Sequence, residues 1–284
     1  MHGPTATLLV TCPDQRGVVA RFAQFVTECG GNIIHADNHT DFSGGRFLTR
    51  IEWQLEGFQL PREEIGTAFG PLADELQATW ELHFSDARPR IAIFVSKQDH
   101  CLLDLLWRHR AGEIPGEIVF VAGNHEELAP TVRDAGIEFR HIPVAKADKS
   151  GAEARQLELL EQQRVDLVVL AKYMQILSPD FVARAPRIIN IHHSFLPAFV
   201  GAKPYHQALE RGVKIIGATA HYVTPELDAG PIIEQDVTRV SHRDEISDLI
   251  RHGKDLERMV LARAVRLHLT NRVLVYGNRT VVFA

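Results

Sequence analysis

Five short, nearly unbroken apolar runs dominate the last two thirds of the chain: IAIFVS (91–96), EIVFVA (117–122), IEFRHIP (137–143), DLVVLA (166–171) and RIINIH (187–192). Segments with helical spacing fit between them at 99–110, 125–135 and 150–163. A strand that is apolar along its whole length needs cover on both faces, and here the cover is helical. This alternation predicts an α/β fold, Rossmann-like, with a mostly parallel sheet between helical layers. Residues 214–237 add two strands, and 244–268 read as a long amphipathic helix. The terminal RVLVYGNRTVVF reads as a hairpin turning at Gly277-Asn278.

The first 84 residues follow another pattern. An apolar strand at 5–12 precedes a helix over 17–29, where Val18, Val19, Phe22, Phe25 and Val26 recur with helical spacing. Gly30-Gly31 stops it, and strands at 32–40 and 46–55 are joined by Ser43-Gly44-Gly45. A helix at 61–76 and a strand at 78–84 complete a β-α-β-β-α-β order, the ferredoxin-like α+β sandwich. The expected division is therefore 1–84, a polar linker at 85–89, and a second domain at 90–284.

Composition narrows the class of function. The net charge of −5, with no basic block, argues against nucleic-acid binding. Cys12, Cys29 and Cys101 are scattered and odd in number, which suits reduced thiols in the cytoplasm rather than zinc ligands. No basic n-region opens the chain, and no apolar stretch reaches the roughly 20 residues of a membrane span, so the expected setting is cytoplasmic.

Asn190 and His192 stand two apart at the carboxyl end of a strand, hence on one face, where open α/β sheets bind ligands. An amide can donate to a developing oxyanion and an imidazole can move a proton. Asp228 follows 38 residues after Asn190, beside Gly230-Pro231. Taken singly, each reads more simply as a loop anchor or a turn residue.

Together they fall within LAKYMQILSP (170–179), NIHHSFLPAF (190–199) and HYVTPELDAGPII (221–233). These stretches resemble the family of formyltetrahydrofolate-dependent formyltransferases and deformylases. The resemblance implies Asn190, His192 and Asp228 as a catalytic trio, and the backbone around Met174, Gln175, Ile176 and Leu177 as the holder of the pterin ring. His221 would support the same site, and Leu196-Pro197 is a candidate cis peptide. A water held by Asp228 and His192 would attack the formyl carbon, Asn190 would stabilise the oxyanion, and N10 would leave with a proton.

The acceptor is read from the surroundings. Family members that act on glycinamide ribonucleotide carry a glycine-rich turn after the first strand of the catalytic domain. Here the turn is Ser96-Lys97-Gln98-Asp99-His100-Cys101, without glycine and with an added carboxylate. CPDQRGVVARF and GGNIIHADNHTD, in addition, resemble an ACT domain, an amino-acid-binding regulatory module. With GNHEEL (123–128) and GAKPYHQAL (201–209), the chain resembles the formyltetrahydrofolate deformylases, for which 10-formyltetrahydrofolate is the substrate and water the acceptor. The alternative is formyl transfer to a small amine acceptor.

The ACT resemblance implies a homo-oligomer, dimer or tetramer, joined through these domains. It also implies an effector, glycine or methionine, near Asp14, Gly17, Val18, Gly31 and Asn32. No cofactor or metal is expected. His35 and His39 lie four apart on a strand, about 13 Å, too far to share an ion. A His192, His206 and His221 metal set is unnecessary once the trio accounts for His192. Tyr205 and His206 suit substrate contact and packing equally, and the charged run at 243–258 reads as a solvated helix face.

Overall fold

The computed structural model describes residues 3–197 and 204–283. Its contacts divide into two compact units, Met1–Ala87 with Thr270–Ala284, and Arg88–Leu269.

The first unit runs β1 (Thr5–Pro13), α1 (Val18–Glu28), β2 (Asn32–Asp41), β3 (Arg46–Gln54), α2 (Arg62–Glu75) and β4 (Thr79–Phe84). The strands form an antiparallel sheet in the order β2-β3-β1-β4, as the ferredoxin-like reading requires. Val18, Phe22 and Val26 of α1 and Ile65 and Phe69 of α2 pack with Leu8, Val10, Ile51 and Trp53 in one core. Val18 therefore belongs to that core, so only its backbone remains for a ligand.

The other face of this sheet is also buried. Leu9 and Leu48 form a second cluster with Leu274 and Phe283 from the hairpin β12 (Val273–Tyr276) and β13 (Arg279–Val282). Arg50 Nε donates to the Asn271 carbonyl at 2.9 Å. The hairpin thus packs with the first unit, which corrects its assignment to the second domain. The reason lies in Leu9 of β1 and Leu48 of β3, apolar side chains on the sheet face away from α1 and α2 that need cover of their own.

The second unit runs β5 (Arg90–Val95), α3 (His100–Arg110), β6 (Glu117–Gly123), α4 (Ala129–Asp134), β7 (Phe139–His141), α5 (Lys149–Gln162) and β8 (Leu167–Ala171). It continues through α6 (Pro179–Arg184), β9 (Arg187–His192), α7 (Pro204–Arg211), β10 (Ile215–Tyr222), β11 (Ile232–Arg239) and α8 (Ile246–Leu269). Its sheet has the order β11-β10-β9-β8-β5-β6-β7. Strands β9 to β7 are parallel, while β10 and β11 are antiparallel to their neighbours. From β5 the chain first builds outward to β7, then crosses to β8. That reversal opens a crevice at the carboxyl ends of the central strands. The short helix α6 had no place in the sequence-based reading; Ser178 Oγ caps it by accepting the Phe181 N–H at 3.1 Å, with Pro179 in its first turn. Among the described residues, no helix is long and apolar enough to cross a membrane.

Candidate active site

Asn190 and His192 emerge at the end of β9, and the antiparallel register sets His221 of β10 directly opposite Asn190. Asn190 Nδ2 lies 3.2 Å from His221 Nε2. His221 Nδ1 faces the Tyr222 carbonyl at 2.9 Å, and a carbonyl only accepts, so Nδ1 carries the proton. Nε2 then accepts from the Asn190 amide, and the second amide N–H is left for a ligand.

Asp228 arrives from the loop between β10 and β11. That loop can close because Gly230 has no side chain: a Cβ there would lie 1.8 Å from the Tyr222 carbonyl oxygen. Asp228 itself has φ 54°, a left-handed conformation that aspartate tolerates better than most residues. Its Oδ2 lies 3.2 Å from His192 Nδ1, and its Oδ1 lies 3.6 Å from His221 Nε2. The hydrogen bond from His192 holds the Asp228 carboxyl well below the usual carboxylate range despite partial burial. His192 is buried, and with Nδ1–H donated to Asp228 its Nε2 is a lone pair with no partner among the described residues. A buried polar atom without a partner waits for one from a ligand or water.

These groups line a cavity of about 450 Å³. Its other wall is the loop after β8, where Met174, Gln175, Ile176 and Leu177 all reach the cavity. The Met174 N–H donates to the buried Ser96 Oγ at 3.0 Å, and the Gln175 N–H to the Tyr173 carbonyl at 2.8 Å, which fixes the loop. Met174, Ile176 and Leu227 are large apolar side chains left exposed at the mouth, while Leu177 is divided between the cavity and the core. The site thus joins a polar floor to an apolar rim suited to a flat ring. The structure brings Asn190, His192, Asp228, His221 and the 174–177 loop to one cavity. Leu196-Pro197 is cis.

Sequence reasoning missed a second set of polar groups behind this floor. Lys172, at the end of β8, is nearly fully buried with φ 61°. Its Nζ lies 3.2 Å from Glu257 Oε1 and 3.4 Å from His193 Nδ1. Glu257 also accepts from His100 Nε2 at 2.6 Å and from the Tyr205 hydroxyl at 2.8 Å. Glu257 is buried, which corrects the reading of 243–258 as a solvated face. Burial alone would raise its carboxyl, but the His100 hydrogen bond and the Lys172 charge bring it down to about 2.

His100, Cys101 and Glu257 are, among the described residues, a trio close enough to hold an ion. Their chemistry does not fit one. Both Glu257 oxygens already accept hydrogen bonds, Lys172 places an ammonium beside them, and burial pushes the Cys101 thiol well above its ordinary value. The turn at 96–101 is likewise closed to an anion. Lys97 pairs with Glu127 at 3.2 Å, and a buried carboxylate stands behind His100 at the start of α3.

The expected effector positions fall into two groups. Asp14, whose N–H donates to the Gly45 carbonyl, and Gly17, with φ 84°, precede α1. Gly31 and Asn32 follow it, and the Asn32 amide donates to Gln54 Oε1 at 2.8 Å. Across the 11 residues of α1 the groups stand about 16 Å apart, so one chain does not bring them together.

Residues 89–265 match the family model described as formyl transferase. The chain is 64% identical over 284 residues to a formyltetrahydrofolate deformylase of Synechocystis sp., covering all of both chains. It is 51% identical over 278 residues to a formyltetrahydrofolate deformylase of Bacillus subtilis, covering 97% of this chain and 93% of that one. Among solved structures it resembles a formyltetrahydrofolate deformylase from Pseudomonas syringae pv. tomato, with a TM-score of 0.96 and 46% identity. That match covers 100% of this chain and 96% of the other.

Proposed function

The chain belongs to the formyl transferase family and, within it, to the formyltetrahydrofolate deformylases; from that membership we propose how its own residues divide the work. The protein is a hydrolase that converts 10-formyltetrahydrofolate and water to tetrahydrofolate and formate. Asn190 takes the formyl oxygen, and His192 is the base. The observation that carries this is the buried His192 Nε2, without a partner among the described residues, with Nδ1 tied to Asp228 and the Asn190 amide beside it. Asp228 is a poor base, because the hydrogen bond from His192 stabilises the carboxylate. It serves instead to orient His192 and to balance the imidazolium that forms.

In the first step His192 Nε2 takes a proton from water as the water oxygen bonds to the formyl carbon. The carbonyl electrons move onto the oxygen, where the Asn190 amide stabilises them. In the second step the C–N10 bond breaks and N10 takes the proton from His192. The formyl carbonyl re-forms, the resulting formic acid gives its remaining proton to solvent, and formate and tetrahydrofolate leave with no cofactor needed in either step. The pterin would lie along Met174, Gln175, Ile176 and Leu177, with His221 holding Asn190 in register. The test is tetrahydrofolate release by the purified protein with no amine present. Release at an undiminished rate is the expected result; dependence on an added amine would overturn water as the acceptor.

The first unit is read as an ACT domain that joins copies of the chain and takes glycine or methionine as an effector. Its ferredoxin-like topology and the glycines flanking α1 support this reading. In the cytoplasm such an enzyme would supply formate for purine synthesis and adjust formyl-folate to free folate.

A further inference from the structure

The two steps above leave unused the polar network buried behind His192. His193, the next residue, stacks on it with ring centroids 4.8 Å apart and planes 15° from parallel. Among the described residues, the hydrogen bond His193 makes is to Lys172, through Nδ1 at 3.4 Å. An ammonium only donates, so Nδ1 must be the bare nitrogen and Nε2 the protonated one. Lys172 in turn cannot swing away. Glu257 from α8 holds its Nζ at 3.2 Å, His100 and Tyr205 hold Glu257, and the lysine backbone sits in the left-handed region, where a non-glycine residue persists only if its surroundings impose it. Gly253, one turn before Glu257, makes room for Tyr205, whose hydroxyl oxygen would lie 2.0 Å from a Cβ there.

We propose that Lys172, clamped by Glu257, is a positioning residue for the hydrolysis: it locks His193 as a neutral imidazole flat against His192, and so fixes the plane in which His192 presents Nε2. This rests on the hydrolytic reading above. The groups facing His193 are Lys172, His192 at the end of the preceding strand, Glu257 from α8, Asp228 from the β10–β11 loop, and the Tyr205 ring at 6.4 Å. Burial first, then the charges of Lys172 and His192, push His193 down to about 4, while Glu257 and Asp228 act the other way. A neutral neighbour lets His192 gain its proton during the reaction without facing a second cation. A protonated His193 would oppose that step by like-charge repulsion.

The experiment measures acceptor-free tetrahydrofolate release against pH for the full chain and for Lys172→Met, Lys172→Arg and the double variant Lys172→Met/Glu257→Gln. The double variant removes both charges, so folding is not burdened by an unpaired buried carboxylate. For Lys172→Met and the double variant, kcat falls by about 10²-fold with KM changed less than about threefold, as a misplaced catalytic group does. In Lys172→Met the acid limb of kcat/KM also moves to higher pH, because His193 without the lysine charge protonates more readily while Glu257 still favours its cation. Lys172→Arg recovers most of the rate. Nitrogen-15 NMR of histidine-labelled wild-type protein shows His193 with Nδ1 bare and Nε2 protonated, titrating only near pH 4. Wild-type kcat in the double variant, a wild-type acid limb in Lys172→Met, or a protonated Nδ1 on His193 would overturn the proposal. If the wild type released no tetrahydrofolate without an amine, the hydrolytic reading would fail, and the NMR result would still decide the histidine lock.

Discussion

Asp228 must do two things at once, hold a left-handed backbone and present an ionised carboxylate to His192. Asparagine tolerates the same backbone, so Asp228→Asn removes the charge and leaves the loop intact. Losing the ionised partner of a general base costs about 10²–10⁴ in kcat, with little change in KM. Asn190→Ala removes an oxyanion donor and costs about 10²–10³. Steady-state rates of tetrahydrofolate release check both, and an unchanged kcat in either variant would remove that residue from the mechanism. These two groups and His192 were legible in the sequence because they stand in short motifs at strand ends. Lys172 and His193 stand in the same motifs, yet reading along the chain gave them no role. Their function depends on Glu257, which is 85 residues away from Lys172 and arrives on another helix.

At the scale of elements, the long periodic segments announced themselves and the composite ones did not. Strands that are mostly apolar could be read directly, and β5, β6, β8 and β9 lie where those runs stand. Glu257 was hidden by its charged neighbours, although it sits on the buried stripe of α8 four residues after Gly253 and four before Leu261. A carboxylate on that stripe was itself the signal of a buried partner. The terminal hairpin was recognised as a hairpin but placed in the wrong unit. The missed clue was Leu9, which faces away from the helix-covered side of β1, between Thr7 and Thr11, and needs cover of its own. The Phe283 ring fills that second face against Leu9 and Leu48 and is almost wholly buried. Phe283→Ala should cost about 3–5 kcal/mol, as buried Phe truncations do. Hydrogen exchange would report it as lost protection in β1 and β3 with β5 and β8 unchanged. Wild-type protection in β1 would mean that the hairpin does not hold this face.

The whole molecule separates its chemistry from its candidate regulation. All groups assigned to the reaction lie in the second unit, and all expected effector positions lie in the first. Within one chain those positions are split between the two ends of α1, about 16 Å apart, while a free amino acid is far shorter. A single ligand can meet both sets only if a second copy supplies one of them. Strand β2 ends its sheet, with an edge that no described strand pairs, and the residues after Gly31 begin it. An open strand edge is a ready surface for another copy. An effector site therefore requires the oligomer, while the oligomer can stand without an effector. Isothermal titration of glycine and of methionine into the full chain, with sedimentation at the same concentrations, tests the pair. The isolated residues 1–84 would be the wrong sample, since the hairpin that covers β1 comes from 270–284. The expected result is heat for one of the two amino acids at concentrations where the chain is associated, fading as dilution yields single chains. Equal binding by single chains would overturn the shared site. Heat from neither amino acid would leave the first unit with a structural role alone.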